Sequence, residues 1–334
     1  MAASALIDTP SYSARLREKL LQREGCRVLL ARIAGSKEAT DSYAEVNCNG
    51  FGRVRTFERY LMHLRTIAHP SASAKPLLRG HPQVNQLRTQ VFQLAGCNWR
   101  CWYCFVDDEL LSGSGAQAEY LSAAEMVDLY LSQEAPPRVI DLSGGQPDLV
   151  PEWCLWTMRA LEERGLRGSN YVWIDDNLST RYMWEHLSPE EIRYMAAFPG
   201  HSRVGCFKGF DEDSFSSNTQ AHPAGYREQF TIFRDLVAAG FDMYAYATFT
   251  VSDDRDLPER MGRFLDQLQS VSRTLPLRTI PLKIVPFAAL RGRRPVALRT
   301  RLDSQHAAFA CWEAELSRRF SADEIALPYE AVAL

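Results

Sequence analysis

Three cysteines within eight residues, Cys97-Asn-Trp-Arg-Cys101-Trp-Tyr-Cys104, constrain this chain more than any other feature. Thiols spaced C-x3-C-x2-C can grip one metal centre from a single loop. A zinc site takes four protein ligands, or three and a water, usually with a histidine nearby. No histidine and no fourth cysteine adjoins this trio. A [4Fe–4S] cluster held by three thiolates would instead leave one iron open to a substrate or cofactor. On the residues alone, zinc and inert thiols stay open as alternatives.

The 334 residues suffice for one large domain or two small ones, and 46% hydrophobic with 24% charged describes a chain that buries a full core. A net charge of −3 gives no general attraction to nucleic acid or membrane. No repeated basic–aromatic pattern points to nucleic acid either. The first eight residues lack a basic stretch leading into an apolar core, so no secretory signal is expected. No apolar run approaches the ~20 residues that span a bilayer. Five of the eight cysteines are scattered, which is no disulfide framework. Free thiols beside a cluster motif point to a reducing, cytoplasmic setting. Cys26 and Cys48 have no close partner and read as ordinary thiols.

Residues 1–86 carry no chemical motif. Within them, 13–24 and 57–67 have helical spacing, 26–33 reads as a strand and 69–76 as a loop. From Leu87 strand-like runs alternate with amphipathic helices, the strands falling at 88–95, 138–142, 170–174, 203–207, 241–250 and 281–287, and a helix at 302–319 closes the series. Ser122 and Glu125 have capping-box spacing, Pro189 suits a first helical turn, and Gly240 a helix stop. Six β-α units in a row imply a parallel sheet with right-handed crossovers. The expected fold is therefore α/β, an open, partial (β/α)6 barrel over 87–300. An N-terminal α+β extension fills 1–86, and a C-terminal helix and tail fill 301–334. In such folds sites gather at the carboxyl ends of the strands.

Candidate residues do fall there. The cysteine loop follows the first strand, and Ser143-Gly144-Gly145-Gln146-Pro147 follows the second. Paired glycines let backbone approach a ligand closely, though a tight strand-to-helix turn would use them equally. The Gln146 carbonyl can accept a hydrogen bond from an ammonium but brings no charge. Asp175-Asp176-Asn177 follows the third strand, where a turn or cap is the plainer account. Lys208 follows the fourth and can either pair with a carboxylate or sit in solvent. Cys206 reads as a core thiol, with hydrogen-atom donation as the sharper alternative. Tyr244, Tyr246 and Thr248 share one face of the fifth strand, where they pack a substrate or fill the core. Arg291, Arg293, Arg294, Arg299 and Arg301 form a basic run beyond the sixth, either solvated or holding a substrate anion.

The cysteine spacing, with aromatic Tyr103 before the third cysteine, resembles the signature of the radical S-adenosylmethionine (SAM) superfamily. The likeness runs over roughly residues 87–290. Residues 143–147 resemble that superfamily's GGE-type motif, with Gln146 where an acid is usual. The resemblance implies a [4Fe–4S] cluster on Cys97, Cys101 and Cys104. It implies SAM bound through Tyr103, Ser143, Gly144, Gly145, Gln146, Asn177 and Lys208. An electron from a flavodoxin- or ferredoxin-type donor would cleave SAM to methionine and a 5′-deoxyadenosyl radical, which takes hydrogen from a small-molecule or peptide substrate. Residues 208–239 are similar to the activating enzymes of glycyl-radical enzymes, which implies instead an activase that plants a radical on a partner protein. A non-catalytic zinc or iron–sulfur scaffold is the alternative from outside the enzymes.

Overall fold

The computed structural model describes residues 6–41, 44–58, 86–291 and 295–334. In chain order its strands are β1 (Leu21–Gln22), β2 (Arg27–Ala31), β3 (Ala44–Asn47), β4 (Gly52–Glu58), β5 (Gln86–Phe92), β6 (Ala118–Ser122), β7 (Val139–Leu142), β8 (Tyr171–Asp176), β9 (His201–Phe207), β10 (Met243–Thr248) and β11 (Thr279–Leu282). Eight of them form one sheet in the order β11-β10-β9-β8-β7-β5-β4-β3. β5, β7, β8, β9, β10 and β11 are parallel neighbours, as the six alternating units predict. A smaller antiparallel sheet joins β1, β2 and β6.

Period-two alternation sorts the strand residues onto two faces. Val172, Ile174, Met243, Ala245 and Ala247 face the helices, against rings such as Phe233 and Phe264. Val139, Tyr171, Trp173, Val204, Tyr244, Tyr246 and Ile280 form a second cluster on the other face, which Tyr329 of the C-terminal segment joins. Each such side chain contributes about 1.5–3 kcal/mol when fully buried. The two ends of the sheet approach each other. Asp41, just before β3, accepts the N–H of Ala288, just after β11, at 3.0 Å, and the rings of Phe105 and Phe287 meet at 6.0 Å.

Start and stop chemistry explains the helices. The capping box of Ser122 and Glu125 opens the helix Ala123–Leu131, and Ser188 with Pro189 opens Pro189–Ala196. Gly240, at φ +89°, follows Gly225–Ala238 in the left-handed conformation that glycine tolerates best.

Several expectations change. The hairpin β3–β4 runs antiparallel onto β5 and was not anticipated. Residues 57–58 close β4 and are not the start of a helix, while the rest of 57–67 and the loop 69–76 lie outside the described residues. The first helix is Thr9–Leu20, set early by the Asp8 side chain accepting from the Ser11 N–H and by Pro10. Arg17 ties it to the later chain, donating to Glu152 at 3.0 Å and to the Leu149 carbonyl at 2.9 Å. Asp175 and Asp176 end β8 itself. The sixth parallel strand stops at Leu282, and its Pro281 is tolerated because β11 is the sheet edge. The last long helix starts at Pro295, not at 302. Among the described residues no helix is long and apolar enough to cross a membrane.

His201 of β9 makes a pH prediction. Its ring is buried with Nδ1 2.9 Å from the Val172 carbonyl oxygen. Burial first, then the Arg203 charge, pushes its pKa down to about 3. An unfolded histidine titrates near ~6.5. The unfolded chain therefore takes up this proton first, so stability is lost as pH falls below about 6.5. Urea unfolding of His201→Gln should show a shallower stability loss between about pH 6.5 and 4 than the parent chain.

Candidate active site

At the carboxyl ends of the parallel strands lies a cavity of about 1120 Å³, counted out to its open mouth. Each strand contributes to it. The loop after β5 brings Cys97, Cys101, Tyr103 and Cys104, and the turn after β7 brings Ser143, Gly144, Gly145 and Gln146. Asp175, Asp176 and Asn177 come from β8, Cys206 and Lys208 from β9, Tyr246 from β10, and Leu282, Lys283 and Ile284 from β11 and beyond. β4 adds Arg55. All the cysteine and SAM-contact residues expected from the sequence thus line one space.

The expected arginines do not. Arg299 is exposed beside Asp303 at 4.0 Å. Arg301 donates to the Ser217 carbonyl at 3.1 Å and stacks on Trp102 at 5.3 Å. Arg291 is exposed and not among the lining residues. Arg293 and Arg294 lie outside the described residues.

The cysteine loop is held from several sides. The N–H of Cys97 donates to Leu111 at 3.1 Å, that of Arg100 to Thr219 at 3.0 Å, and that of Trp102 to Asn218 at 3.1 Å. The Trp102 indole donates to the Asn218 side chain at 2.8 Å. The Asn98 amide donates to Ser13 and to Ser179, each at 2.8 Å. None of the three loop cysteines is in a disulfide. Burial pushes Cys101 up to about 11, against the pull of Lys208. Among the described residues no three His, Cys, Asp or Glu side chains stand gathered about a metal position. The chemistry of the donor set nonetheless suits an iron–sulfur cluster. Among the described residues no histidine lines the cavity, and both oxygens of Asp175 already accept, from the Ser143 hydroxyl and the Trp173 indole.

The glycine turn is stitched to the same loop. Gly144 and Gly145 have φ of +83° and +67°. A Cβ on Gly145 would sit 2.3 Å from the Leu94 carbonyl oxygen and 2.6 Å from that of Gly96, so only glycine fits. The Gln146 N–H donates to Gly96 at 2.8 Å. The Gln146 side chain is buried, its amide donating to Asp176 at 2.7 Å and its carbonyl accepting the Asn177 N–H at 2.9 Å. These contacts explain the glutamine in place of an acid. Asp176 needs a donor, because burial and then Asp148 raise its pKa while Arg203 lies 3.6 Å away. Gln146→Glu should therefore set two carboxylates together and destabilise the chain by about 1–3 kcal/mol in urea unfolding, more at high pH than at low.

Other polar groups are left to face the cavity. Asn177 donates to Asn98 at 3.0 Å, while its own Oδ1 is buried with no hydrogen-bond partner. Lys208 sits among Cys101, Tyr103 and Cys206. Burial works against its charge, but the neighbouring thiols and phenol outweigh it and hold its pKa well up. Tyr103 is fixed by Thr248, whose hydroxyl donates to the phenol oxygen at 3.1 Å.

Sequence reasoning missed the segment 37–41. Lys37 pairs with Asp107, three residues past Cys104, at 3.1 Å. Glu38 is fully buried, accepts from the Gln93 amide and lies 3.9 Å from the buried Arg53. A Cβ on Gly144 would strike Gln93. This segment therefore joins the exit of the cysteine loop, the glycine turn and, through Asp41, the loop after β11.

No protein-family model and no curated protein matches the chain. Solved structures similar to it include Streptococcus suis SuiB bound to the precursor peptide SuiA, at 13% identity and a TM-score of 0.40. SuiB bound to S-adenosylmethionine follows at 14% and 0.39, and SuiB alone at 15% and 0.38. Each covers 54% of this chain, and the aligned part spans only 36–37% of SuiB.

Proposed function

We propose that this chain is a radical SAM enzyme, with its curled sheet forming a partial (β/α)6 barrel over 87–300. Within the N-terminal extension 1–86, β3 and β4 lengthen the sheet beyond β5, and 301–334 form the C-terminal helix and tail. The observation that carries the proposal is one cavity lined by three cysteines outside any disulfide, the left-handed glycine pair, Lys208 and the unspent Oδ1 of Asn177. Cys97, Cys101 and Cys104 would hold a [4Fe–4S] cluster. When bound, that cluster and SAM supply a reductive cleavage giving methionine and a 5′-deoxyadenosyl radical, with the electron from a flavodoxin- or ferredoxin-type donor. Lys208 would hold the SAM carboxylate as a charge-assisted partner, and the Asn177 Oδ1 would accept from an N–H or O–H of SAM. Gly144 and Gly145 leave room for the ligand to approach backbone. Phe105, Val106, Leu111, Ile284 and Phe287 exclude water from the same space.

The substrate is a small molecule or a peptide. The segment 208–239, which is similar to activases, has a local task here. Its Asn218 and Thr219 carry the cysteine loop, so the likeness does not by itself favour a protein partner. Anaerobic reconstitution with iron and sulfide tests the proposal. A brown protein with iron–sulfur charge-transfer absorption is expected, and a colourless chain holding zinc contradicts it.

A further inference from the structure

Asn98, the second residue of the cysteine loop, is fully buried and does not itself line the cavity. Both hydrogens of its amide are spent, on the hydroxyl oxygens of Ser13 in the first helix and Ser179 just past β8, each at 2.8 Å. Ser13 can only accept from it, because its own hydroxyl hydrogen goes to the Thr9 carbonyl at 2.6 Å. Asn98 therefore turns its Oδ1 towards Asn177, whose Nδ2 donates to it at 3.0 Å. The Asn177 backbone is clamped as well. Its N–H donates to the Gln146 side chain at 2.9 Å, and its carbonyl accepts from the Gln229 amide at 2.8 Å. The Asn177 Nδ2 carries a second hydrogen, and Cys97 Sγ lies 3.9 Å from that nitrogen. Reversing the Asn177 amide would set its Oδ1 against the Asn98 Oδ1 and the Cys97 sulfur, with no hydrogen between them. The series Thr9, Ser13, Asn98, Asn177 thus aims an N–H at the sulfur of Cys97.

We propose, building on the radical SAM reading, that Asn98 is a positioning residue that makes Asn177 donate an N–H···S hydrogen bond to Cys97 and thereby raises the reduction potential of the cluster held there. Hydrogen bonds to the sulfurs are among the features that set an iron–sulfur potential. A thiolate on iron is a charged acceptor, which draws an N–H more strongly than a thiol does. Reduction adds one electron and no proton. An N–H pointing at a ligand sulfur stabilises the added negative charge, so the flavodoxin- or ferredoxin-type donor delivers its electron more readily. One orientation of Asn177 serves two tasks, since its amide hydrogens go to Asn98 and Cys97 while Oδ1 remains for the SAM contact.

Redox titration of the reconstituted full chain, followed by electron paramagnetic resonance of the reduced cluster, tests this. It is run without SAM, so the SAM contact of Asn177 does not enter. At a fixed poise, Asn177→Ala should lower the ratio of reduced to oxidised cluster about three- to tenfold, the worth of one hydrogen bond. Asn98→Ala should lower it in the same direction and by no more. The double variant should match Asn177→Ala, because Asn98 acts through Asn177. An unchanged potential in Asn177→Ala overturns the proposal, and so do shifts that add in the double variant. Ser179→Ala removes one anchor of Asn98 and no cluster ligand, so it stays informative if alanine at 98 or 177 leaves no cluster to titrate. It should show the same lowering at smaller size, and a parent-like potential there overturns the proposal. A parent chain that takes up no iron refutes the cluster and this proposal together. A chain whose cluster shows these shifts yet never cleaves SAM refutes the radical SAM reading alone and leaves the hydrogen bond standing.

Discussion

Alanine at Cys97, Cys101 or Cys104 is expected to strip the reconstituted chain of nearly all its iron and all SAM cleavage. Alanine at Cys26, Cys48, Cys154 or Cys311 should leave iron content unchanged. The first three thiols share one cavity, whereas Cys48 and Cys154 are buried in the core behind it and Cys26 is exposed. Cys206 is the discriminating control, because it lines the same cavity. It stands on β9, outside the C-x3-C-x2-C loop. Iron and sulfide analysis of Cys206→Ala should match the parent chain. A strict need for Cys206 would make it a fourth ligand and remove the open iron on which SAM binding depends.

A second large effect is expected at the buried pair Glu38 and Arg53. Neither side chain has any solvent exposure, and their closest charged atoms are 3.9 Å apart. Arg53→Met should cost about 3–5 kcal/mol in urea unfolding, the usual penalty for stranding one partner of a buried pair. Burial already raises the Glu38 pKa against the pull of Arg53. Without Arg53 it rises further above its unfolded value. The unfolded chain then releases the Glu38 proton at lower pH than the folded one, so the loss of stability grows as pH rises from about 4 upward. The double replacement Glu38→Met with Arg53→Met should recover part of the loss, because apolar side chains of similar size tolerate that site. Recovery stays partial, since Gln93 loses its acceptor on Glu38. Equal stability of Arg53→Met and the parent would remove the segment 37–41 from any role in holding the loop.

What could be read from the sequence divides along physical lines. The parallel strands announce themselves because both their faces are buried, so runs such as Tyr171-Val-Trp-Ile174 are apolar throughout. Their ends shift by a few residues because the polar residues that finish them, Asp175 and Asp176, remain in the ladder. The hairpin β3–β4 stayed hidden for the opposite reason. Its alternation in Arg53-Val-Arg-Thr puts arginines, not aliphatics, on the inner face, and an inward arginine resembles an ordinary surface strand. Arg55 was therefore missed as a cavity residue. The cysteine loop and glycine turn were legible because their chemistry needs particular residues close together in sequence. The partners that fix them, Ser13, Glu38, Ser179 and Asn218, come from distant segments and follow no local pattern. The Gln146 side chain could be judged only once Asp176 stood beside it.

The most direct measurement is anaerobic incubation of the iron-loaded chain with SAM and dithionite, followed by assay for 5′-deoxyadenosine. Formation of 5′-deoxyadenosine and methionine in equal amounts, absent from Cys101→Ala, is the predicted result. An iron-loaded chain that binds SAM yet yields no 5′-deoxyadenosine under reduction would contradict the account.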